Sequence, residues 1–147
     1  PSNAYEETMN SQPDSKDEHC FSQATAVQQA ASRLGFDWSD ISGVLNKVEE
    51  EVAELRDAVE RNDAIHAQSE LGDLLFAAIS VARFLDADPA ACLDAATQRF
   101  QSRMEIVKKN AADAGICLPS CSADRLDALW DQAKQLMRQQ LENYLDK

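Results

Sequence analysis

The sequence predicts an all-α fold, and three observations carry that reading. Apolar residues recur at spacings of three and four in several long segments, and no stretch shows the period of two that a half-buried strand needs. Gly35, Gly115 and the pair Asp88-Pro89 punctuate the periodic segments as helix stops and starts. The chain has 147 residues, enough to bury one core. A single all-α domain over residues 21–147 is therefore expected, built on a helical hairpin with flanking helices and completed by homo-oligomerisation.

Residues 1 to about 20 are polar and acidic and read as a disordered tail. Pro1–Ala4 resembles a remnant of an expression tag. From Phe21 the pattern changes: Ala26, Val27, Ala30, Ala31 and Leu34 define a short first helix, ended by Gly35. A connector with Phe36 and Trp38 leads to a second helix, from about Ser42 to Arg61. Its apolar positions Leu45, Val48, Val52, Leu55 and Val59 are expected to face the core. Asn62-Asp63 is the turn and cap of a third helix that runs to about Leu85. That helix has apolar or small residues over most of its circumference, so a second subunit is expected to cover part of it. A fourth helix opens at Asp88-Pro89, with Leu93, Ala96, Phe100, Met104 and Val107 as its buried stripe. A fifth begins near Ser122 and carries Leu126, Leu129, Trp130, Ala133 and Leu136.

With 14 basic against 26 acidic residues the net charge is −12, which argues against a nucleic-acid polymer as partner. A small phosphorylated ligand remains compatible, because divalent cations bridge carboxylates to phosphate oxygens. The longest uncharged, mostly apolar run, Leu74–Ala82, is far short of the ~20 residues that span a bilayer. No basic segment followed by an apolar one marks a leader. The expectation is a cytoplasmic protein without membrane contact. The cysteines at 20, 92, 117 and 121 lack a four-ligand zinc pattern and read as reduced thiols.

The acidic residues between Lys47 and Asp73 are arranged with respect to the turn. Glu54 and Glu70 are equidistant from Asn62, and so are Glu51 and Asp73. In an antiparallel hairpin this places Glu51 level with Asp73 and Glu54 level with Glu70, roughly 12 to 16 Å from the bend at 1.5 Å per residue. Gathering four carboxylates costs stability unless a cation or protons neutralise them. Oxygen ligands without Cys or His select Mg²⁺, with Mn²⁺ as substitute, and the Glu-x-x-His motif of di-iron bundles is missing. Gly72, inside an otherwise strong helix, suggests a close approach by another helix or a ligand.

The run Lys47-Val48-Glu49-Glu50-Glu51-Val52-Ala53-Glu54-Leu55, followed by Glu70-Leu71-Gly72-Asp73-Leu74-Leu75-Phe76, resembles the signature of the MazG-type nucleoside triphosphate pyrophosphohydrolases of the all-α NTP pyrophosphatase superfamily. Gly35-Phe36-Asp37-Trp38, Ala82-Arg83-Phe84-Leu85, Arg99-Phe100 with Arg103, and Asp127-Ala128-Leu129-Trp130 extend the likeness, which covers about Ala24 to Lys134. The resemblance implies cleavage of a nucleoside triphosphate between its α and β phosphates, with Mg²⁺ as cofactor and Glu51, Glu54, Glu70 and Asp73 as metal ligands. Glu50 is then the candidate to orient or deprotonate the attacking water. Lys47, Arg99 and Arg103 are candidates to grip phosphate, and Trp38 and Trp130 to stack on the base. Ser80 stands where relatives often carry Asn, which leaves open a narrower substrate such as dUTP, dCTP or phosphoribosyl-ATP. The likeness is to one catalytic unit, so assembly as a homodimer or homotetramer is expected. A reading from another class is a non-enzymatic helical-bundle interaction protein whose acids form a solvated face.

Overall fold

The computed structural model describes residues 15–145, and every regular element among them is helical apart from turns. In chain order these are α1 (Ser15–Arg33), α2 (Ile41–Glu60), α3 (Ala64–Phe84), α4 (Pro89–Asp113), a 3-10 turn at Leu118–Ser120, and α5 (Ala123–Leu145). None of these helices is long and apolar enough to cross a membrane. The first helix starts at Ser15, so residues 15–20 are not the tail that composition suggested. Acidic, polar residues also stabilise the start of a helix, and the two settings share a composition. The rest of the expected tail, residues 1–14, lies outside the described residues.

The helix ends follow from local chemistry. Asp40 caps α2 by accepting from Gly43 N at 3.2 Å, and Asp63 caps α3 by accepting from His66 N at 3.0 Å. At the far end of α2, Asn62 adopts φ +55. Its N–H donates to Val59 O at 3.0 Å and that of Asp63 to Ala58 O at 3.0 Å, the paired bonds of a Schellman turn. This turn reverses the chain at the residue about which the acids are symmetric.

The chain gathers into two compact units, one through Cys92 and one from Leu93 onward. In the first, α2 and α3 pack along their length and α1 packs on α3. The line of contact on α2 runs through Val44, Glu51 and Ala58, all buried, at a spacing of seven. The expected core stripe is therefore only partly right. Val48 and Leu55 are half-buried, whereas Leu45, Val52 and Val59, one residue further round, are exposed. One residue is 100° of helix, and a stripe this wide exceeds what α3 alone covers. On α3, Ile79 and Ala82 are buried while Leu71, Leu75 and Phe76 are exposed. In the second unit the core is Val107, Ala111, Leu129 and Ala133, with Ile106, Ile116, Leu118 and Trp130 packed against it. Leu93 and Phe100, expected in the α4 stripe, are exposed.

Candidate metal centre

The hairpin delivers three carboxylates to one point. Glu51 on α2 and Glu70 and Asp73 on α3 each offer an oxygen, and these oxygens lie within 4.8 Å of one another. Glu51 is 4% and Glu70 7% exposed, because both sit in the α2–α3 seam, while Asp73 stands open at its edge. They line a cavity of about 420 Å³ together with Glu54, Lys47, Trp38, Phe76 and Ser80. Glu54 thus shares the cavity but lies outside the tight set of three. A larger cavity of about 790 Å³, between the start of α1 and the α3–α4 turn, carries one carboxylate in its wall, Asp88, and no cluster.

Part of the charge is balanced from within. Lys47 Nζ lies 2.6 Å from Glu51 Oε1 and 3.0 Å from Glu50 Oε1, and these hydrogen bonds hold the ammonium above its ordinary pKa range. Burial of its carboxyl, then the charges of Glu51, Glu70 and Glu50, push Glu54 up from the usual carboxylate value, opposed by Lys47. The residue as a whole is exposed, so the neighbouring charges are the firmer cause. One lysine does not satisfy the cluster. Glu51 Oε2 is buried and has no hydrogen-bond partner, a costly position for an anionic oxygen. A hard divalent cation fits this donor set, which is carboxylate oxygen throughout.

Other site residues fall as follows. Glu50 is exposed, paired to Lys47 and outside the cavity wall. Trp38 forms part of that wall and is seated against α2. A Cβ added to Gly43 would stand 2.8 Å from Trp38 Cδ1, so only glycine admits the indole there. Gly72 is not explained in the same way, since a Cβ there would meet nothing within 4 Å. Among the described residues of its own compact unit, none makes the close approach expected at Gly72. Arg99, Arg103 and Trp130 belong to the second unit. There the Arg103 guanidinium lies 5.6 Å from the Trp130 ring centre, Phe100 packs 5.2 Å from the same ring, and Arg99 is exposed on α4.

Two features escaped the sequence reading. His66 Nε2 lies 3.1 Å from Glu70 Oε1, one turn earlier on α3; the i, i+4 spacing was the available signal. Asp37 and Arg83 form a two-pronged pair at 2.7 and 2.8 Å that ties the α1–α2 connector to α3. The guanidinium holds the Asp37 carboxyl well below the usual carboxylate range. The two are 46 positions apart in the sequence, and spacing offers no hint of that pair.

Residues 39–111 match the family model of the MazG nucleotide pyrophosphohydrolase domain. The chain is 38% identical over 114 residues to the nucleoside triphosphate pyrophosphohydrolase/pyrophosphatase MazG of Thermotoga maritima, covering 78% of this chain and 44% of that protein. It is 31% identical over 116 residues to the nucleoside triphosphate pyrophosphohydrolase of Escherichia coli K12, covering 76% of this chain and 43% of the relative. A Bacillus subtilis protein, YabN, described as uncharacterized, is 34% identical over 71 residues, covering 48% of this chain and 14% of its own length. The chain spans less than half the length of each of these relatives. The matched stretch contains the turn at Asn62 and all three converging carboxylates, and by it this chain belongs to the MazG nucleotide pyrophosphohydrolase family.

Proposed function

We propose that this chain hydrolyses nucleoside triphosphates, ribo- or deoxyribo-, to the monophosphate and pyrophosphate by cleavage between the α and β phosphates. The observation that carries the reading is the set of Glu51, Glu70 and Asp73 around a cavity, with one buried Glu51 oxygen left unpartnered. These residues, with Glu54 beside them, would hold Mg²⁺, or Mn²⁺ in its place. When bound, such an ion neutralises phosphate charge and lowers the pKa of a coordinated water. Lys47, at the cavity wall between Glu50 and Glu51, is assigned to grip a phosphate oxygen, and Glu50 to orient or deprotonate the attacking water. Trp38 offers its ring to the base. Substrate contacts by Arg99, Arg103 and Trp130 rest on the family likeness alone.

The exposed apolar residues of the hairpin, Leu45, Val52 and Val59 on α2 and Leu71, Leu75 and Phe76 on α3, support self-association as a homodimer or homotetramer. We place the activity in the cytoplasm, on a nucleotide and not on a nucleic-acid polymer.

The test is release of monophosphate and pyrophosphate from a panel of NTPs and dNTPs with Mg²⁺, for the wild type and for Glu51→Gln and Asp73→Asn. A wild type inactive on every nucleotide, or two fully active variants, removes the catalytic reading. Orthophosphate without pyrophosphate would show that the bond cut is not the α–β anhydride. Activity confined to one nucleotide would point to a narrower specificity for dUTP, dCTP or phosphoribosyl-ATP.

A further inference from the structure

Ser80 lies in the middle of α3, 1% exposed, in the wall of the carboxylate cavity, and its Oγ has no hydrogen-bond partner. A hydroxyl inside a helix ordinarily donates to the carbonyl four residues earlier. This chain shows that default twice: Thr25 Oγ1 donates to Phe21 O at 2.9 Å and Thr97 Oγ1 to Leu93 O at 2.9 Å. For Ser80 the corresponding acceptor is Phe76 O. That carbonyl has two lone pairs. The helical N–H of Ser80 takes one, and Gln28 Nε2, reaching across from α1, takes the other at 2.8 Å.

The orientation of the Gln28 amide is fixed by its partners. Phe76 O can only accept, so it faces the amide nitrogen, and Arg83 Nε can only donate, here to Gln28 Oε1 at 3.5 Å. Arg83 is in turn anchored by Asp37. Gln28 is 6% exposed and lies before the matched domain, which begins at residue 39.

We infer that Gln28 is a positioning residue: by occupying the Phe76 carbonyl, it denies Ser80 its local partner and leaves the serine hydroxyl available to a nucleotide in the cavity. The phosphate chain belongs with Lys47 and the acids, so the atom that Ser80 meets is a hydrogen-bonding group of the nucleoside, for which the same wall offers the Trp38 and Phe76 rings. This inference rests on the nucleotide reading above for its ligand, but the coupling of Gln28 to Ser80 can be measured without one.

The test uses Gln28→Glu, which keeps an oxygen for Arg83 but cannot donate to Phe76 O, and Gln28→Met, which keeps the volume and removes both bonds. Each is made in the wild-type and Ser80→Ala backgrounds. In the wild-type background Ser80 turns to the freed carbonyl, and KM for the best nucleotide rises about fivefold, the worth of one hydrogen bond, with kcat nearly constant. In the Ser80→Ala background the same Gln28 changes leave KM where Ser80→Ala put it. Equal KM effects in both backgrounds, a fall in kcat alone, or no effect would overturn the inference.

Thermal melts give an arm independent of activity. Ser80→Ala is neutral or stabilising when Gln28 is present, because it removes an unsatisfied hydroxyl, and destabilising when Gln28 is Glu or Met, because it then breaks a bond. The same change in Tm in both backgrounds overturns the coupling. If the wild type hydrolyses no nucleotide, the catalytic reading falls, and the melting cycle alone decides whether Gln28 holds Ser80 open.

Discussion

Lys47 Nζ stands 2.6 Å from Glu51 Oε1, inside the seam of the hairpin, so the protein's own ammonium competes with any metal ion for the same carboxylate. Removing it with Lys47→Met leaves Glu51 buried beside Glu70 and Asp73 with less compensation. The metal-free variant is expected to lose about 1–3 kcal/mol of stability, the cost of a buried charged group deprived of its partner. Saturating Mg²⁺ should recover most of that loss. Equal destabilisation with and without Mg²⁺ would show that Lys47 acts by packing and not by charge.

Metal binding should be visible without substrate. Mg²⁺ is expected to raise Tm, by about 3 kcal/mol of stabilisation at a hundred times its Kd, and a chelator should reverse the rise. Glu51→Gln and Asp73→Asn each remove one of the converging oxygens and should abolish the shift. Glu54→Gln, outside the tight set, should weaken it less. A shift that survives Asp73→Asn unaltered would place the ion elsewhere.

The Asp37–Arg83 pair makes a pH-dependent contribution. Its folded carboxyl is depressed below the unfolded value, so its stabilisation is fully present above roughly pH 4 and is lost as pH falls further. Asp37→Asn should cost about 1–2 kcal/mol at neutral pH, and the gap between variant and wild type should close on acidification below that point. Urea titrations at pH 7, 5 and 3 measure the gap. A gap that is constant with pH would rule out the ion pair as its origin.

Gly43 holds the space that Trp38 occupies. Gly43→Ala places a methyl 2.8 Å from Trp38 Cδ1, and the indole must move. Tryptophan emission, read in a Trp130→Phe background, should shift, and nucleotide KM should rise several-fold, while the α2–α3 hairpin keeps its stability to about 1 kcal/mol. Unchanged emission would mean that the ring accommodates the methyl in place.

The exposed leucine at position 75, on the apolar outer face of α3, tests self-association. Leu75→Lys should shift the sedimentation profile toward monomer and lower activity per chain. A wild type that sediments as a monomer at micromolar concentration would exclude the proposed assembly.

Much of this was legible in the sequence because it depends on counting. The α2–α3 turn and the meeting of Glu51, Glu70 and Asp73 follow from helix geometry once Asn62 is recognised as the bend. The face of each helix that ended up inside was less legible. Leu45, Val52 and Val59 form as good a stripe as Val44, Glu51 and Ala58, and hydrophobicity favours the wrong one, since the true seam includes a carboxylate. Contacts between distant segments left no trace in spacing. Nothing local marks Gln28 as the partner of Phe76 O or Asp37 as that of Arg83.

The Schellman turn at Asn62 has a consequence for how this stretch can vary. Because the acids on both arms are brought together by their distance from one bend, adding or deleting a single residue between Glu51 and the turn rotates that carboxylate by 100° out of the seam, however well the new residue suits a helix. Substitutions at exposed polar positions of the two arms, such as Arg56 and Gln68, leave that spacing unchanged. Between Glu51 and Asp73, related chains that keep the site should therefore differ widely in spelling and hardly at all in length.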